Sequence, residues 1–260
     1  MSLSSQPSFD ILRNEFVCGY RDIENSSHAG SSRKHMPGGQ SIETSNGSGP
    51  HNIQIFVLTP DGIVLTCLPG YWRSDDLARE LDFAKDLYKV WQDPMLSLAQ
   101  KKATFSQMQL GHIAQHPKDE KARSHMQGFD IAYEKEHRLG TSDVFYRNAI
   151  NPTTREVPNN AVKTTDVIMH ERMAARPFVA YKNFDWPEFS DYGKPMYDKE
   201  EDFRLSDGQI APGANISDAP MIGNDPRAHP IKTEVKRQGK SVFRAAVTNA
   251  MRFGINAAIH

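Results

Sequence analysis

The stretch from Asn52 to Trp91 constrains this chain most, because its local chemistry allows one order of elements: strand, tight turn, strand, helix. Ile53, Ile55 and Val57, with Phe56 and Leu58 between and beside them, form a β-branched and aromatic run. Thr59-Pro60-Asp61-Gly62 follows and fits a hairpin, since proline presets φ at the first corner and glycine tolerates the positive φ after it. A second run, Ile63 to Leu68, ends at Pro69-Gly70. Ser74 stands where a helix cap would, with Asp75 and Asp76 in the first turn, where carboxylates favour the exposed amides. Leu77, Leu81, Ala84, Tyr88 and Trp91 recur at steps of three and four and lay one apolar stripe along that helix.

Two pieces of this unit, Phe56-Val57-Leu58-Thr59-Pro60-Asp61-Gly62 and Gly70-Tyr71-Trp72, resemble the carboxyl-terminal half of a thioredoxin-like domain. Phe9 to Cys18 is similar to the end of that fold's first active-site helix running into its next strand. The resemblance covers residues 9–91 and implies an α/β fold with a thioredoxin-like ββα core. Only Met1 to Ser8 remain to supply the family's central strand, and they lack the apolar residues such a strand of about five needs. Active members of the family carry a C-x-x-C at the amino end of the helix that here contains Phe9, where the helix terminus lowers the thiol pKa. This chain has no C-x-x-C: its two cysteines, Cys18 and Cys67, fall in expected strands, and the proline expected just before the Ile53 strand stands early, at Pro50. The expected function is a non-catalytic thioredoxin-like binding or structural subunit. The alternative is a thiol-disulfide or peroxide-handling enzyme using Cys18, Cys67 or a C-x-x-C upstream of this sequence.

A chain of 260 residues is long enough to bury a large core, and its formal charge of −1 gives no reason to expect a nucleic-acid partner. No apolar run approaches the length that spans a bilayer, and the amino terminus lacks the basic start and apolar core of a secretory signal. Two cysteines make no disulfide framework, so a reduced, cytoplasmic setting is expected. No cofactor signature is present.

Residues 1–92 are expected to form the thioredoxin-like domain, interrupted by a long Gly/Ser/His loop at 25–51. His28, His35 and His51 in that loop raise a metal hypothesis, but their irregular spacing without cysteine fits a surface loop better. Asn46-Gly47-Ser48-Gly49 turns the chain into a strand, whereas a phosphate cradle would lead into a helix.

Residues 93–139 read as a helical hairpin. Asp93-Pro94 suits a helix start, Pro117 stops that helix, and a second runs from Asp119 to Arg138. His112 and His116 stand one turn apart and could offer a metal two ligands from one face. Without a glutamate between them they lack the zinc-protease pattern and read as a solvated helix end. Glu134, Glu136 and His137 read likewise as a solvated face, able to do acid-base work only if they line a cleft.

Residues 140–230 read as a proline- and aromatic-rich extended arm, with one helix near 165–175. His170-Glu171 within it is half of a metalloprotease signature, with no second histidine three residues on. Phe184, Trp186, Tyr192 and Tyr197 need a surface to bury them, supplied by the domain itself or by a neighbouring subunit. Residues 231–260 end in a basic amphipathic helix whose Phe243, Val247 and Met251 face a partner groove, the chain's own domain or a membrane surface. These extensions favour a protein partner or homo-oligomer.

Overall fold

The computed structural model describes residues 2–23, 26, 29 and 44–194. The architecture is mixed α/β, with helices packed around a two-stranded antiparallel hairpin. After a single 3-10 turn at Ser2–Ser4, helix α1 spans Ser8–Glu15. The next residues, expected as a strand, form none: Val17 and Tyr20 are 104% and 99% exposed, and among the described residues no strand pairs with them.

Strands β1 (Gln54–Leu58) and β2 (Val64–Pro69) pair as the turn chemistry requires. Gly62 sits at φ +80°, and the Gly62 and Ile63 amides donate to the Thr59 carbonyl and hydroxyl, each at 2.9 Å. The outer edge of β2 is met by residues 179–181, where Val64 N–H donates to the Val179 carbonyl at 2.9 Å. Every residue of β2 is buried. At Gly70, φ +74°, a Cβ would run into the Ser48 carbonyl, so this crossing of chain on chain needs glycine.

Helix α2 (Ser74–Gln92) lays Leu77, Leu81 and Ala84 on the hairpin, as the stripe predicts. Ser74 does not cap it. Its hydroxyl bonds the Ser5 carbonyl at 2.8 Å and the Ser8 hydroxyl at 2.8 Å, joining α1 to α2, and Arg73 takes the cap position. The helix also buries a second face, with Asp76 and Glu80 each 0% exposed, because another layer of helices covers it.

That layer begins with α3 (Leu98–Gln115). Asp93-Pro94 makes a turn, and the helix starts a turn later because Ser97 and Gln100 form a reciprocal capping box. The single helix expected over 119–138 is broken into α4 (Lys118–Arg123) and α5 (Gly128–Arg138). The Arg123 and Ser124 carbonyls accept from Asn46 and Thr165 N–H, both at 2.8 Å, and these long-range bonds replace the helical ladder. Helix α3 accordingly packs on α2 and on α6 (Thr165–Ala174).

Residues 140–194 do not stand off as an arm. Short turns and α7 (Trp186–Phe189) carry Phe184, Phe189 and Tyr192 into the core, at 5%, 0% and 1% exposure. The domain itself is the surface these aromatics required.

Candidate metal centre

Four side chains from three helices converge inside this layered core. Glu80 comes from α2, His112 from α3, His116 from the residue that caps the carboxyl end of α3, and His170 from α6. One potential ligand atom from each lies within 4.8 Å of every other. The Glu80, His116 and His170 side chains are 0%, 1% and 0% exposed and that of His112 is 12% exposed.

Glu80 Oε1 stands 3.3 Å from Nε2 of His112, of His116 and of His170. A tetrahedral ion with bonds of about 2.0 Å to nitrogen and oxygen needs ligand-to-ligand edges of about 3.3 Å. Three edges of the cluster therefore already have the length a zinc-like ion imposes.

Hydrogen bonds behind the rings decide which nitrogens face inward. Gln109 Nε2 donates to the Leu65 carbonyl at 3.4 Å, which turns its Oε1 toward His170 Nδ1 at 2.6 Å. That acceptor calls for a proton on Nδ1 and turns Nε2 toward Glu80 Oε1, 3.3 Å away. His116 Nδ1 likewise donates to Asp166 Oδ2 at 2.8 Å, a carboxylate behind an imidazole of the kind that orients metal-bound histidines. His112 is held by Phe83, whose ring stacks on it at 3.9 Å and 5°.

A carboxylate buried among imidazole nitrogens needs positive charge beside it, as a proton on a ring or as a bound ion. Burial pushes the His170 imidazole below its ordinary value and so opposes a proton there. At His116 burial also pulls downward, but hydrogen bonds to Asp166 and Glu80 outweigh it and lift the group to about 10. For Glu80 burial acts upward, and the three imidazoles more than offset it, holding the carboxyl well below the usual range. Among the described residues, buried Glu80 Oε2, His112 Nε2, His116 Nε2, Glu120 Oε1 and Asp166 Oδ1 meet no hydrogen-bond partner within bonding geometry.

The surrounding charge makes the same demand. Asp76, Glu80, Glu120 and Asp166 are each 0% exposed, and two guanidinium groups reach them. Arg79 Nε donates to Glu120 Oε2 at 2.7 Å, and Arg123 binds Asp76 at 2.7 and 2.9 Å. Four buried carboxylates face two guanidiniums and the raised His116 imidazole, so the surroundings favour a cation at the cluster.

Searches among family models, curated proteins and solved structures find no match for this chain.

The cluster overturns one sequence reading directly. His112 and His116 are not a solvated helix end, because α2 and α6 close over the α3 face that carries them. Sequence reasoning passed over Glu80 and set His170 aside. The available signal was the i, i+4 pair Asp76 and Glu80 beside an apolar stripe, a pattern that asks for a polar layer above the helix.

The other candidates lie elsewhere. His51 is buried at 1% exposure in the turn before β1, outside the cluster, while His28 and His35 lie outside the described residues. Cys67 is buried in β2 with its thiol pushed well up by burial. Cys18 is exposed, its Sγ 3.7 Å from the Leu12 carbonyl. Phe184 and Tyr192 are core residues, the Tyr192 hydroxyl donating to the Gly47 carbonyl at 2.8 Å, and Trp186 is partly buried against the same core. Tyr197, Phe243, Val247 and Met251 lie outside the described residues. Glu136 and His137 do sit on an exposed face, but Glu134 is buried and accepts from Gly193 N–H at 2.8 Å. Among the described residues no helix is long and apolar enough to cross a membrane.

Proposed function

We propose that this chain is a metalloprotein whose centre is one first-row divalent transition-metal ion held by His112, His116, His170 and Glu80. The observation that carries the reading is the convergence of three imidazole Nε2 atoms on one carboxylate oxygen at 3.3 Å. Imidazole with carboxylate suits zinc, iron, cobalt or nickel, while an all-oxygen set would be expected for magnesium or calcium. Such an ion ties α2, α3 and α6 together from inside. The test is metal analysis of the purified protein together with cobalt reconstitution. The expected result is one ion per chain, lost when His116 or His170 becomes alanine and the variant still folds. Wild-type protein that takes up no stoichiometric transition metal overturns the reading.

A role as a binding subunit in an assembly is a second reading, supported by one observation: residues 16–23 carry Val17 and Tyr20 fully exposed. A monomer by light scattering, with no partner in native pull-downs, removes that support. The thioredoxin-like likeness of residues 9–91 is supported by the strand-turn-strand-helix order alone; among the described residues the sheet has two strands. A redox reaction at Cys67 has burial against it, since a protonated thiol is a poor nucleophile.

A further inference from the structure

Glu120 is a buried carboxylate beside the cluster that neither ligates the proposed ion nor orients a ligand ring. It lies in α4, just past the Pro117 bend, four residues after His116. Its Oε2 is pinned by Arg79 Nε at 2.7 Å, and Arg79 is the neighbour of Glu80 on α2. That clamp turns Oε1 inward, 3.9 Å from His116 Nε2, where it has no hydrogen-bond partner although the residue is 0% exposed.

Burial raises the Glu120 carboxyl above its ordinary value, while Arg79 holds Oε2, so a buried Oε1 calls for a hydrogen-bond partner that the described residues do not provide. A metal ion bonded to His116 Nε2 brings that partner with it, in the form of a bound water. At 3.9 Å from the ligand nitrogen, Oε1 is too far to bond the imidazole and close enough to reach a water on the same ion.

We infer that the ion keeps a further coordination position, filled by a water whose hydrogen bond Glu120 accepts, and that this position exchanges with small anions and oxygen donors. The inference rests on the metal centre proposed above. Arg79 is then a positioning residue, holding Glu120 toward the ion.

The surroundings restrict what can exchange. An open depression of about 360 Å³ between α2 and α3 is lined by Phe83, Asp86, Met108 and Gly111 among others. Phe83 lines it and stacks on His112, which places an aromatic ring between the depression and that ligand. The larger depression, about 700 Å³, is built by residues 148–158 and shares no residue with the centre.

The experiment uses the full chain loaded with cobalt(II), whose visible absorption reports coordination number, and azide as the probe. The expected result is one cobalt per chain, a weak absorption of five-coordinate type, and a saturable spectral change with millimolar azide. Glu120→Gln should keep the cobalt and the fold, and bind azide about tenfold tighter, because a negative charge beside the position is gone. An intense four-coordinate spectrum that azide leaves unchanged overturns the inference, and needs only wild-type protein. Equal azide affinity in Glu120→Gln also overturns it, by removing Glu120 from the position. Failure to bind cobalt at all is a different result and sinks the metal centre itself.

Discussion

His170 Nδ1 donates to Gln109 Oε1 across 2.6 Å, and this one bond decides which nitrogen of the ring faces Glu80. Gln109 is 0% exposed and is itself oriented by the Leu65 carbonyl of β2, so the hairpin fixes the tautomer of a histidine two helices away. Loss of such an outer partner typically costs about 10–100-fold in metal affinity. Gln109→Leu is expected to weaken metal binding by that factor while one site per chain persists. Competition titration with a chromophoric chelator measures it, and unchanged affinity would show that the ring orientation is set by other contacts.

Removing the ion should also loosen the fold. A ligand held at a hundred times its Kd stabilises by about 2.7 kcal/mol, and in a chain of this size each kcal/mol moves Tm by about 2–4 °C. Chelation is therefore expected to lower Tm by about 5–10 °C, with recovery on re-addition of metal. Scanning calorimetry before and after chelation checks this. Equal midpoints would mean that the four ligands make no stabilising bond to an ion.

Asp76 gives a prediction independent of the metal. Burial raises its pKa, but hydrogen bonds from Arg123 and Asn46 and the charges of Arg123 and Arg79 outweigh that and hold it below its ordinary 3.8. A carboxylate depressed in the folded state contributes fully above its unfolded value, and that contribution disappears as pH falls through the lower folded value. Asp76→Ala should cost about 3 kcal/mol near neutral pH, since it leaves two arginines without their shared partner. The variant should also lose less stability than wild type on acidification below pH 3.8. Urea denaturation at a series of pH values reads both, and parallel acid limbs would contradict the assignment.

The two thiols should behave oppositely. Cys18 is exposed and Cys67 is buried with its thiol pushed upward. In native protein an aromatic disulfide reagent is expected to label one thiol per chain quickly, at Cys18, and the second only on unfolding. Rapid labelling of Cys67 in the native state would reopen a redox role for it.

Local chemistry made the hairpin legible. Thr59-Pro60-Asp61-Gly62 contains its own donors, acceptors and positive-φ residue, so no distant contact is needed to predict it. The stripe of α2 and the helix at 165–174 were legible for the same reason, since helical period and caps act within a few residues. Errors arose where distant groups competed with local ones. Ser74 bonds α1 instead of capping α2, and the carbonyls of 123 and 124 are claimed by Asn46 and Thr165, which splits one expected helix into two.

By itself, then, the sequence determined the hairpin, the stripe of α2 and the four-residue spacing that sets His116 one turn beyond His112. Whether that turn met solvent or core was beyond it, because exposure is set by what packs on a helix and not by the helix. Only tertiary structure decided that α2 and α6 would close over α3, bringing Glu80 and His170 to the same point. The spacing from 80 to 112 to 170 obeys no local period, and the ligands meet because apolar stripes on three helices pack around the hairpin. Folding brings the acidic and imidazole groups together out of water, and burial makes positive charge at their centre necessary.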